Sequence, residues 1–385
     1  MLIAALALSA PVLAADGPEF TPEAQIRPRA EWSTGRDGTS GSGDALVITQ
    51  RSRLGGSLSF EGISARLVVQ DIRAWGTEAN TLTDFNADNL DVHVASLAWK
   101  PADDVTITVG RQEITFNEHR LIGNVNWAQQ ARAFDAARVQ YTGDKLFAEA
   151  FGSMLYEGDQ VDATTLDSTL WAGRGGFKSG ANEANLTAIY EHMGEADMDR
   201  ATIGVYAKGG SGILSGRVEG YGQLGSSGNA SIGAWMVGVR GTVAPDVSFK
   251  PQITLWYDHL SGDGDMTDDK VGAFNTLYAT NHKFYGQIDM ANFGIAGASD
   301  GRGLQDIALK LAASPSDKWT ANLDAHAFLA SANQGGDTSI SQEVDLWSNV
   351  KITKGLGFGI GAAAWLPSYT ADADFWAWSQ LNAKL

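Results

Sequence analysis

The chain has 385 residues, enough for two or three soluble domains or for one large β-barrel. Its formal charge of −17 argues against nucleic acid as a partner, because phosphate binding needs a basic face. Cysteine is absent, which removes disulfide frameworks, thiolate catalysis and Cys-ligated metals, while 45 Gly and 12 Trp suit tight turns and aromatic girdles.

In chain order, the first element is the apolar run MLIAALALSAPVLA, which ends in small residues. A spanning helix needs ~20 residues, so this run reads as a signal peptide, residues 1–15, cut after Ala14 or Ala15. Residues 16–385 are then expected to form a single barrel domain. No later apolar run reaches spanning length, which excludes a helical membrane protein. Gly35–Asp44 is Gly/Ser-rich and short, and reads as a loop between strands rather than a linker. Gly110–Tyr141 begins and ends as an alternating strand, with a long loop rich in Arg, Trp, Asn and Gln between.

Beyond it a period of two dominates. In Leu214–Leu224, Arg217, Glu219, Tyr221 and Gln223 oppose Leu214, Val218 and Leu224. In Val247–Ser261, Lys250, Gln252, Thr254, Trp256 and Asp258 alternate with Phe249, Ile253, Leu255 and Tyr257. Trp319–Ser331 sets Asp324 and His326 against Leu323, Ala325 and Ala327, and Ser341–Thr353 sets Glu343 and Asp345 against Val344 and Leu346. Turns are expected at Thr142-Gly-Asp, Gly209-Gly-Ser and Ser314-Pro-Ser-Asp, and Trp75, Trp99, Trp171, Trp235, Trp256, Trp365 and Trp376 are expected in girdles. Soluble sandwiches alternate too, but their strands are typically ~5–6 residues. Longer segments with charges of both signs on one face predict an all-β fold, a transmembrane antiparallel barrel of about eighteen strands with loops folding into the lumen.

Specific residues carry a family likeness. Gly110-Arg111-Gln112, Arg120-Leu121-Ile122-Gly123, Trp127, Arg132 and Phe134-Asp135-Ala136 form one block. Phe274–Asp289, where FNTLY runs into NHKFYG, forms a second, and Glu343-Val-Asp345 a weaker third. These segments resemble the alginate export family of outer-membrane porins. The resemblance implies an 18-stranded barrel in the outer membrane of a Gram-negative bacterium, in contact with lipid and lipopolysaccharide. It also implies a narrow Arg-lined lumen passing anionic polysaccharide or small anionic solutes, with no enzymatic activity and no cofactor. Export of a polymer would add periplasmic partners that no feature of the sequence names.

Arginine suits a carboxylate path because its planar fork binds carboxylate bidentately and stays charged. Lumen parity or the motif selects Arg51, Arg53, Arg66, Arg111, Arg120, Arg132, Arg138, Arg217, Arg240 and Lys250 as pore residues. The competing expectation is that they pair with Glu113, Glu118, Asp135, Glu149 and Glu219 and stiffen the lumen. Glu118, Trp127, Asp135, Asn281, His282 and Lys283 are the expected constriction residues, with His282 packed in a folded loop. Asp263, Asp265, Asp268 and Asp269 form a loose calcium candidate that lacks EF-hand spacing and reads better as a solvated acidic loop. Two alternatives remain beside the channel: a structural or interaction barrel of the envelope, and an outer-membrane hydrolase. His326 and Asp324 share a polar face, but no paired Ser is evident for the second.

Overall fold

Hydrocarbon offers backbone N–H and C=O groups no partner, so strands can cross a bilayer only as a closed ladder. The protein, as a computed structural model, takes that form. The structure describes residues 17–34, 44–76, 90–157, 167–289, 301–368 and 372–385. The expected signal peptide and residues 35–43 of the Gly/Ser-rich loop lie outside them.

The strands in order are β1 (Glu19–Thr34), β2 (Asp44–Phe60), β3 (Ile63–Ala74), β4 (Leu90–Ala102), β5 (Val105–Gln112), β6 (Phe134–Thr142), β7 (Leu146–Tyr156), β8 (Ser168–Ser179) and β9 (Asn182–Met193). They continue as β10 (Met198–Ser211), β11 (Leu214–Ser227), β12 (Ala230–Val243), β13 (Gln252–Leu260), β14 (Lys270–Val271), β15 (Leu304–Ser316), β16 (Trp319–Leu329), β17 (Ser339–Thr353), β18 (Leu356–Pro367) and β19 (Asp374–Lys384). β14 has two residues and lies parallel on Ser231–Ile232 of β12, so the wall among the described residues is an 18-stranded antiparallel barrel in which β13 pairs directly with β15. β1 closes it by pairing with β2 on one side and β19 on the other. Two- and three-residue turns, such as Glu61–Gly62 and Gly143–Lys145, mark one rim, which is the periplasmic end in barrels of this kind. Long connections at the opposite rim, 113–133 and the described residues 261–289 between β13 and β15, supply what enters the lumen.

Alternation sorts the side chains as the sequence predicts, and inverts a soluble protein. On β12, Ile232, Ala234 and Met236 are buried inside, while Trp235, Val237 and Val239 face outward and are exposed. On β17, Glu343 and Asp345 are fully buried on the lumen side, and Val344 and Leu346 lie outside. Apolar side chains cover the outside of the barrel because lipid is the solvent there.

Three expectations are corrected. β13 starts at Gln252, not Val247, because Pro251 lacks an N–H and Lys250 adopts a positive φ of 46° in a turn closed by Lys250 N–H to Val247 O. Trp256, Trp365 and Trp376 point inward and are buried, so they are not girdle residues, whereas Trp99, Trp171 and Trp235 do face outward. The turn expected at Gly209 falls at Gly212–Ile213, and the one expected at Ser314 falls at Asp317–Lys318.

Val205 faces outward from the middle of β10. Replacing it with Arg is expected to cost ~2–4 kcal/mol of folding free energy in lipid vesicles. Reversible denaturant unfolding followed by tryptophan fluorescence checks this.

Candidate functional site: the constricted lumen

Segment 113–133 leaves the wall just after Gly110, whose φ of 109° suits glycine and where an added Cβ would lie 2.3 Å from Ala95 O. Asn117, Glu118, His119, Val125 and Ala131 all have positive φ, a conformation costly for residues with a Cβ. Such a path persists only where tertiary contacts override the local preference. Those contacts come from 274–288, the other motif block. Tyr278 N–H donates to Leu121 O at 2.9 Å, and Gly123 N–H donates to Tyr278 O at 2.8 Å. Ile114, Phe116, Leu121 and Ile122 share an apolar cluster with Phe274, Phe284, Tyr285 and Ile288 inside the barrel. The two loops together form a small core that narrows the lumen.

Arginines then fasten this core to the wall. Arg120 is fully buried: Nε donates to Glu219 at 2.9 Å, Nη2 to Asp258 at 2.8 Å and Nη1 to the Tyr285 hydroxyl at 2.8 Å. Arg132 Nη1 donates to the carbonyls of Gly123 and Tyr278. On the β1–β2 side, Arg27 reaches the carbonyls of Asn126 and Trp127 at 2.8 and 3.1 Å. Arg29 reaches Trp127 O at 2.8 Å, Arg51 reaches Gln129 O at 3.3 Å and Arg53 reaches Gln130 O at 3.3 Å. Trp127 lies between the Arg29 guanidinium, 4.4 Å from its ring, and the stacked His282 ring at 4.6 Å, and His282 also bonds Asp289 at 3.0 Å.

The remaining candidates separate by position. Glu118 accepts from Lys208 at 3.0 Å and Arg217 at 2.8 Å, and Lys283 Nζ donates to Glu118 O at 3.2 Å. Asn281 donates to Thr276 Oγ1 at 2.9 Å, within its own loop. Arg138 pairs with Glu149, and Arg66 forms a fork with Glu23 at 2.7 Å. Arg240 lies 3.0 Å from the centre of the Trp256 ring. Its Nε and Nη2 have no hydrogen-bond partner among the described residues, and Glu219 is 3.8 Å away.

Arg111 and Asp135 pair with each other at 2.9 Å but share the outward parity of Val109 and Val139, so they do not line the pore. Lys250 sits in the β12–β13 turn and pairs with Asp317 of the next turn, also outside the lumen. Asp263 spends its carboxylate on the N–H groups of Asp265 and Gly272. Asp265 and Asp268 likewise accept from Thr267 and Lys270, and Asp269 offers its carbonyl to Ser231, which describes a self-bonded turn. Arg27, Arg29, Lys208 and Lys310 were not among the sequence candidates. Arg27 and Arg29 stand two apart in the run Gln25-Ile-Arg-Pro-Arg-Ala-Glu31, so strict parity identifies them.

Beneath the loops two cavities of about 470 and 560 Å³ meet at Thr254, Trp256 and Lys310. Lys208, Arg217 and Arg240 line one, and Lys283, Asp324, Asp345 and Trp378 line the other. Burial pushes the Glu118 carboxyl up, but the Lys208 hydrogen bond and the charges of Arg217 and Lys283 hold it at about 2. Glu113 is likewise raised by burial and held at about 2 by hydrogen bonds from His93 and Asn124 and by Arg53.

Because both carboxyls sit below their ordinary value, the brace they give is complete above about pH 4.5 and is lost as pH falls toward about 2. Anion preference in planar bilayers should therefore rise below about pH 3, as protonated Glu118 no longer offsets Lys208 and Arg217, although Arg217 keeps Glu219. Arg120→Met strands Asp258 in a buried setting and leaves Glu219 to Arg217, at a cost of ~3–5 kcal/mol, with a lower unfolding midpoint and noisier single-channel current as the readouts.

The fold matches solved outer-membrane proteins. OccAB4 of Acinetobacter baumannii aligns with a TM-score of 0.64 at 10% identity, over 94% of this chain and 98% of that one. OpdQ of Pseudomonas aeruginosa aligns at 0.64 and 11% over 95% and 98%, and the outer-membrane protein opdK of the same organism at 0.59 and 10% over 95% and 99%. No curated protein sequence matches the chain. Residues 21–342 match the alginate export family, and the protein belongs to that family as a Gram-negative outer-membrane β-barrel channel.

Proposed function

We propose that the channel passes small anionic solutes, selected by the cations of the vestibule beneath the loops. The observation that carries this reading is the location of uncommitted positive charge. Arg51, Arg120 and Arg132 spend their donors on loop carbonyls and buried carboxylates, so they hold the constriction and do not hand a solute along. Arg240 and Lys283 face the two cavities instead. Arg240 Nε and Nη2 have no hydrogen-bond partner among the described residues, and Glu219 is 3.8 Å away.

Fixed cations at a constriction select by charge without requiring tight binding. The size of the spaces supports a solute over a chain. Cavities of about 470 and 560 Å³ suit a molecule of one or two rings, and two loops stitched together across the lumen narrow the way for a polymer. A small solute also needs no periplasmic export partner. Anionic polysaccharide is the reading this displaces.

Reversal potentials under a KCl gradient, with gluconate-sized anions and oligouronates as added solutes, test the proposal. The expected result is anion preference, passage of the small anions and slow block by oligouronate. Arg240→Ala and Lys283→Ala should each lower the preference. Efficient oligouronate permeation favours polysaccharide passage, and no conductance at all returns the structural barrel to consideration.

A further inference from the structure

One wall of the vestibule concentrates buried acid. Asp306 on β15, Asp324 and His326 on β16, and Glu343 and Asp345 on β17 all face the lumen side and are buried. Their register places Asp324 opposite Asp345 and His326 opposite Glu343. A buried carboxylate is costly unless it is paired with a cation or protonated. Here the donors run short. Asp306 Oδ2, Glu343 Oε2 and Asp345 Oδ2 have no hydrogen-bond donor among the described residues, although all three side chains are fully buried.

The histidine is oriented for a particular chemistry. Its Nδ1 lies 2.8 Å from Asp306 Oδ1. A carboxylate accepts, so Nδ1 carries the proton and the Nε2 lone pair is left facing Asp324 and Asp345. Each of those carboxylates has an oxygen 3.9 Å from Nε2. An imidazole whose far N–H donates to a carboxylate, with its lone pair aimed between two further carboxylates, is the usual arrangement of a metal-binding histidine. The ligand atoms of Asp324, His326 and Asp345 lie within 4.8 Å of one another. Bonds of about 2 Å from a central ion span most of that gap, leaving side-chain shifts of under about 1 Å.

Lys310 already supplies a cation there. Its Nζ donates to Asp324 Oδ2 at 2.6 Å and to His326 Nε2 at 3.2 Å, and it lies 4.7 Å from the centre of the Trp256 ring at the junction of the two cavities. It therefore borders open space on its other side.

We propose that Asp324, His326 and Asp345 bind a divalent transition-metal ion, with Asp306 orienting the histidine, and that the ion displaces the Lys310 ammonium into the vestibule. The mixed nitrogen and oxygen donor set suits Zn2+ or Mn2+ better than the all-oxygen preference of Ca2+. The exchange brings two positive charges to the acidic wall and moves the lysine charge toward the solute path. Metal binding then raises anion preference, while the binding itself is independent of what the channel carries.

The test uses untagged, lipopolysaccharide-free protein refolded in detergent, stripped with a chelator and titrated calorimetrically with ZnCl2, with CaCl2 as a parallel arm. Saturable one-site Zn2+ binding is expected. His326→Ala and Asp345→Asn should weaken it by more than about tenfold, since losing a ligand exceeds the usual effect of losing an outer partner. Lys310→Met, which removes the competing ammonium and keeps a long side chain, should tighten it. In bilayers, Zn2+ should shift the reversal potential of the wild type toward anions and leave His326→Ala unmoved. Absence of saturable Zn2+ binding to the wild type, equal binding by His326→Ala, or Ca2+ binding as tight as Zn2+ overturns the proposal. If the acid-wall variants fail to fold, tightening in Lys310→Met supports the site and unchanged affinity overturns it.

Discussion

The inability of lipid to satisfy a backbone hydrogen bond governs this molecule. It forces the strands into a closed ladder, and closure with an apolar exterior sends every second side chain into one interior. Many polar residues of the kind a soluble protein spreads over its surface are thereby drawn to the inside of the barrel. Glu219, Asp258, Asp306, Glu343 and Asp345 are all almost completely buried for that reason, and so are Arg51 and Arg120. Such a crowded lumen is stable only where charges find partners. The loops of 113–133 and 274–288 are shaped by that requirement as much as by their own apolar cluster.

Arginine does most of this work because it offers several donors in a fixed plane. Arg27, Arg29, Arg51 and Arg53 use those donors on carbonyls of 126–130, a stretch too irregular to satisfy them itself. A row of basic residues on a lumen wall therefore has two meanings. Where a loop lies across the row, the arginines are clasps. Where a cavity borders the row, as at Arg240 and Lys283, no loop carbonyl takes up the whole set of donors, and these two are assigned to the solute in the proposed function. The net charge of −17 gives no guidance here, since several of the acids are buried in the wall of β13 to β17.

The barrel was legible in the sequence because alternation is a local property, and ten-residue stretches of it have few other uses. The two motif blocks were legible as a loop system, though not as partners of each other, because Leu121 and Tyr278 are joined only in three dimensions. Strict parity places Arg111 with Val105, Ile107 and Val109 on the apolar face, and the motif argument for a pore role overrode it. Lys250 was misplaced for a different reason: the alternation continues past Pro251 into a turn. Pairing of the lumen arginines with acids such as Glu219 was an open alternative in the sequence, but the specific partners of Arg120 and Arg132 were not readable. Their partners are Glu219, Asp258 and the carbonyls near Tyr278, which lie about a hundred residues away or more.

Pairing of β1 with β19 carries a consequence for assembly. β1 and β19 meet along Gln25–Ser33 and Trp376–Lys384, so the seam of the wall joins strands far apart in the chain, 357 residues for Gln25 and Asn382, and seals only when both are in place. The contacts that narrow the lumen also span long stretches of chain. Those between Arg27 and 126–129 close loops of about a hundred residues, whereas Arg120 reaches Tyr285 across 165. Long loops of this kind close slowly because their entropy is lost before their contacts form. The seam of the barrel and the clasp of its narrowest point are thus both made by residues far apart along the chain, and neither is complete without the other elements of the wall in place.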